Sequence, residues 1–159
     1  MKRRRDVPHV NLHIERWHRR LVYGVVMLLT GSGIAWLLAH YFIRRFGEFG
    51  ETIHPLEPLS MKLHGAAAMA MLFIAGSVMN SHIRRALRAR RNLMQGWLLL
   101  VSLVLLTLSG YGLWYLANED SRVVWSMTHW IIGLAFPALL VWHILHGRHL
   151  RQAASQVPA

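Results

Sequence analysis

The sequence predicts an all-α protein, a four-helix transmembrane bundle with both termini cytoplasmic, and three observations carry that expectation. Of 159 residues, 54% are apolar and only 16% charged, whereas soluble domains carry roughly a quarter of charged residues. Four apolar runs, 21–43, 61–79, 93–117 and 123–145, match the length of about 20 helical residues that crosses a hydrocarbon core. Lysine and arginine gather on one side of those runs. Each run lacks the alternation of a barrel strand, and a lone helix satisfies its own backbone hydrogen bonds in lipid. With their flanks, the spans cover about 17–43, 61–83, 93–117 and 123–147 of a single membrane domain, 1–159.

The first run follows about twenty polar residues and is long enough to span, so the first helix is expected to direct insertion without a cleavable signal peptide. Orientation follows from the basic residues at the span ends. Lys2, Arg3, Arg4, Arg5, Arg16, Arg19 and Arg20 precede the first span, Arg84, Arg85, Arg88, Arg90 and Arg91 follow the second, and Arg148 and Arg151 follow the fourth. Only Arg44, Arg45, Lys62 and Arg122 lie on the other side, together with Glu48, Glu51, Glu57, Glu119 and Asp120. The formal charge of +11 is therefore one of topology and lipid headgroups, and no nucleic-acid partner is expected. The outer connection at 44–60, with Gly47, Gly50, Pro55 and Pro58, reads as an ordered or semi-ordered cap. That at 118–122 is tight. No internal sequence repeat is apparent.

There is no cysteine, which excludes disulfides, thiolate catalysis, Cys-ligated metals and covalent c-type haem. Histidine is plentiful instead, at eleven residues. His9, His13, His40, His54 and His149 read as interfacial headgroup contacts, and Trp17, Trp36, Trp97, Trp114, Trp125 and Trp142 as an aromatic belt. Ionisable groups inside spans are costly, face the bundle interior and mark sites. His129 and His143 are fourteen residues apart on the fourth span, which leaves them within about 40° of one face and about 21 Å apart along the axis. His64 opens the second span level with His129, and His18 opens the first level with His143. The third span carries none. The four therefore form two pairs at two depths. His82, eighteen residues after His64 and so nearly on its face, competes with His18 for the inner position, and His146 is a further candidate.

A haem suits such a pair, because a flat, mostly apolar macrocycle fills the space between helices and takes an imidazole on each face of its iron. Zinc needs three or four ligands, and no carboxylate lies at either level. Gly24, Gly31, Gly33, Gly65, Gly76 and Gly133 would let a ring approach the backbone. Arg16, Arg19, Arg20, Arg84, Arg85 and Arg148 offer donors for propionates at the inner end, with Lys62 and Trp130 at the outer. Pro137 lies between the two histidines of the fourth span and should bend it.

Arg16-Trp17-His18, Leu63-His64-Gly65, Thr128-His129 and Trp142-His143 together resemble the bacterial membrane diheme cytochromes b, the group containing cytochrome b-561 and the cytochrome b subunits of formate dehydrogenase and nickel–iron hydrogenase. The resemblance covers nearly all of residues 12–150. It implies two non-covalent b-type haems ligated by His18 with His143 and by His64 with His129, His82 being the departure from its pattern. It also implies a multi-pass protein of the bacterial inner membrane that exchanges electrons with quinone and with a periplasmic or peripheral redox subunit. Cofactor contacts are thus expected from His18, His64, His82, His129, His143, Arg19 and Gly31. A stand-alone superoxide:ubiquinone oxidoreductase like cytochrome b-561 and a haem-free membrane anchor are the competing expectations.

Overall fold

The computed structural model describes residues 15–43, 45–48, 50–89 and 92–155. His9, His13, Lys2, Arg3, Arg4, Arg5, Arg44, Arg90 and Arg91 lie outside them. Four helices among the described residues are long and apolar enough to cross a membrane, and the chain is an all-α four-helix bundle. The elements in order are α1 (Arg16–Phe42), β1 (Arg45–Gly47), β2 (Gly50–Thr52), α2 (Leu56–Val78), a π-helical turn (Met79–Ile83), α3 (Arg84–Ala89), α4 (Leu93–Tyr115) and α5 (Glu119–Ser155).

Apolar residues face outward on every span: Phe73, Met69 and Trp114 are 81%, 72% and 75% exposed. Such contiguous apolar surface is what lipid covers. The 27 residues of α1 extend about 40 Å, more than the core of a bilayer. α2, the π turn and α3 run on from Leu56 to Ala89. Asn92 then reverses the chain with φ 53° and ψ 40°, a left-handed conformation that asparagine adopts more readily than most residues. α5 starts under a cap, the Ser121 N–H donating to Asn118 Oδ1 at 2.8 Å, with Glu119 and Asp120 complementing the dipole of its first turn. Pro137 lies inside this 37-residue helix.

The connection expected as a cap contains a two-stranded antiparallel hairpin in register Arg45↔Thr52, Phe46↔Glu51 and Gly47↔Gly50. Gly50, at φ +109°, permits the turn. Behind it, His40 of α1 pairs with Glu57 of α2 at 3.0 Å and stacks on Trp36.

The helices pack as two hairpins, α1 along α2 and α4 along α5, which meet chiefly where α1 touches α5. The buried core is small: Val26 of α1, Met71 of α2 and Phe136 of α5, flanked by Leu99, Leu103 and Leu106 of α4. Phe136 lies seven residues from each of His129 and His143, about 10 Å along the axis from either. This apolar cluster therefore lies midway between two levels of the bundle, one toward the α1–α2 and α4–α5 connections (the loop end) and one toward the start of α1 and the end of α5 (the terminal end).

Candidate cofactor site between two helical hairpins

At the loop end, His64 of α2 and His129 of α5 face each other across the gap, ring centroids 6.0 Å apart and planes at 70°. At the terminal end, His82 of the π turn faces His143 of α5 at 6.3 Å and 84°. Both pairs join one hairpin to the other. An imidazole nitrogen binds a first-row metal at about 2 Å, so two imidazoles on opposite faces of one iron place their centroids about 6 Å apart. Among the described residues, no group of three or more histidines, cysteines or carboxylates gathers to hold a metal; each level brings two imidazoles face to face.

The structure brings together three of the four histidines expected as ligands and adds His82. His18 makes other contacts: its ring lies 3.6 Å from that of Trp17, and its Nε2 is 3.4 Å from Ser77 Oγ. It belongs to the α1–α2 contact. His82 sits in a π turn, where one residue is added to the helical repeat, a device often found at functional sites.

Each ring is seated by the neighbouring helix of its own hairpin. His64 Nδ1 lies 3.0 Å from the Leu29 carbonyl and 3.1 Å from Ser32 Oγ; a Cβ on Gly33 would lie 3.5 Å from its Cε1. His129 Nδ1 lies 2.9 Å from Ser109 Oγ, and a Cβ on Gly110 would come within 3.4 Å of its Cε1. His143 Nδ1 lies 3.1 Å from Asn92 Nδ2, which also donates to the His143 carbonyl at 3.0 Å. Gly96 stands against that ring, 3.9 Å from Cβ position to Cε1. Asn92 Oδ1 is buried without a protein partner, a polar atom that a bound group would satisfy.

These contacts expose what the sequence reading missed. The segments holding His64 and His129 are Leu29-Thr30-Gly31-Ser32-Gly33 and Leu106-Thr107-Leu108-Ser109-Gly110. Both read Leu-Thr-x-Ser-Gly, so a short internal repeat exists where none was apparent. The third span, plain for want of histidine, is the helix against which both α5 histidines rest. Of the glycines expected to thin the walls, Gly33 alone touches a histidine; a Cβ at Gly24, Gly31, Gly65 or Gly76 would meet nothing within 4 Å. Gly31 instead borders, with Ser32 and Ser60, a cavity of about 270 Å³ between α1 and α2.

At the terminal end a cavity of about 490 Å³ opens around His82 and His143, walled by Met71, Leu99, Leu103, Phe136 and Leu140 and edged by Arg19, Arg148 and Asn92. Its size is that of a cofactor pocket, apolar with a few polar groups at the rim. Arg19, expected as a propionate donor, is therefore at this cavity, as is Arg148. The cavity lies beside the facing His82 and His143 imidazoles.

No family model, curated protein or solved structure matches the chain.

Proposed function

We propose that the chain is a membrane-embedded diheme b-type cytochrome, carrying electrons between quinone and a redox partner on the opposite side, as a subunit of a larger oxidoreductase. The observation that carries the reading is the pair of cross-hairpin histidine contacts at 6.0 and 6.3 Å, one at each end of the bundle. Haem, when bound, supplies a one-electron couple at each level. The protein's part is to hold it. Held by two imidazoles at each level, haem would serve electron transfer rather than chemistry on a bound small molecule. His64 and His129 serve the loop end, and His143 with His82 the terminal end. His18, the family-like choice, is the second reading there. Arg19 and Arg148 neutralise propionates, while Val26, Met71 and Phe136 exclude water between the levels.

In this reading the termini are cytoplasmic in a bacterial inner membrane, quinone exchanges at the terminal end, and the acidic loop end meets a periplasmic partner. The excess of basic residues at the terminal end supports that orientation. The test is a reduced-minus-oxidised absorption spectrum of purified protein: Soret and α bands of b-type haem are expected, and their absence from protein made with ample haem contradicts the reading. Copurification of a redox subunit distinguishes a complex from a solitary superoxide:ubiquinone oxidoreductase.

A further inference from the structure

The repeated Leu-Thr-x-Ser-Gly segment does the same thing twice. In α1 the Ser32 hydroxyl donates to the Leu28 carbonyl at 2.6 Å and lies 3.1 Å from that of Leu29. In α4 the Ser109 hydroxyl donates to the Leu106 carbonyl at 3.2 Å. Each serine therefore uses its one hydrogen on its own helix and turns a lone pair to a histidine. The Leu29 carbonyl, 3.0 Å from His64 Nδ1, can only accept, which requires hydrogen on that nitrogen. The Leu106 carbonyl, which also hydrogen-bonds the His129 ring, does the same for His129, and Ser109 Oγ lies beside that nitrogen at 2.9 Å. Glycine next to each serine leaves room for the ring.

We infer that Ser32 and Ser109 are positioning residues, holding His64 and His129 as Nδ1–H tautomers so that Nε2 keeps the free lone pair for iron. The inference rests on the haem reading and adds to it which groups tune the loop-end site. Asn92 makes the terminal end different. Its Nδ2 donates to the His143 carbonyl, which fixes the amide, and the same Nδ2 approaches His143 Nδ1 as a donor. The loop-end seat presents acceptors to the ring nitrogen, whereas the terminal-end seat presents an N–H donor.

A hydrogen bond from the distal imidazole N–H to an acceptor raises the basicity of the ligating nitrogen and stabilises oxidised iron. Ser109→Ala in the full-length, haem-loaded protein should therefore raise the midpoint potential of one haem and weaken its binding about 10- to 100-fold, leaving the other unchanged. Ser109→Thr should restore both values. Ser32→Ala should act in the same direction on the same haem, each variant leaving a backbone carbonyl, Leu29 for His64 and Leu106 for His129, in place. A Ser109→Ala protein whose two potentials and haem affinities equal those of the wild type overturns the inference while leaving the haem reading intact. If the wild type binds no haem, that reading fails, and ¹⁵N-histidine spectra of the same protein still decide the seat. Nδ1–H is expected at His64 and His129, and Nε2–H at either contradicts it. The same spectra serve should Ser109→Ala fold poorly.

Discussion

His82 and His143 face each other at the terminal end of the bundle with ring centroids 6.3 Å apart, although His82 closes the first hairpin and His143 belongs to the second. Their contact spans the gap between the two hairpins, beside the apolar cavity of about 490 Å³ that both rings line. His18, on α1, packs on Trp17 and Ser77 instead.

His82→Ala and His143→Ala should each abolish the same haem, and His18→Ala should keep both. Haem content by pyridine haemochrome, with the surviving potentials from redox titration, checks this. Loss of that haem in His18→Ala with retention in His82→Ala would reinstate the family-like pairing.

His64→Ala and His129→Ala should each remove the other haem and spare the one between His82 and His143. The separation of the two levels by Val26, Met71 and Phe136 is the reason the losses should be independent. Loss of both haems from either variant would show that the levels assemble as one unit.

Asn92 has two tasks that substitution separates. Asn92→Gly keeps the left-handed turn at φ 53° and removes only the hydrogen bonds to His143, whereas Asn92→Ala also carries a backbone penalty of about 1–2 kcal/mol. Thermal unfolding in detergent should rank wild type above Gly and Gly above Ala. Haem binding between His82 and His143 should weaken in both variants.

A Cβ on Gly112 would lie 2.6 Å from the Trp125 ring, because α4 and α5 approach closely at their connection. Gly112→Ala should destabilise the second hairpin by roughly 1–3 kcal/mol, the usual cost of overpacking. Trp125→Leu in the same chain should recover part of it. An unchanged unfolding midpoint in the single variant would mean the indole moves aside freely.

The four spans were legible because long apolar runs in lipid have one solution for their backbone hydrogen bonds. The facing of His64 and His129 was equally open to depth and level, since both lie on regular helix near the same end. His82 against His18 was not. That choice depends on a π turn, which breaks the 3.6-residue repeat, and on which helices flank the gap, a tertiary fact. Ser109 escaped notice because its helix carries no histidine; the signal was the Leu-Thr-x-Ser-Gly segment shared by the first and third spans, too short to stand out until both copies are seen against a ring. Gly47 and Gly50 marked a turn, yet only pairing with Thr52 and Glu51 makes Arg45 and Phe46 a strand.

The most direct measurement is bound iron per chain in protein expressed with ample haem, read beside its reduced spectrum. Two b-type haems per chain, falling to one in His129→Ala and in His143→Ala, is the expected result. A chain that folds and inserts yet holds no iron would contradict the account.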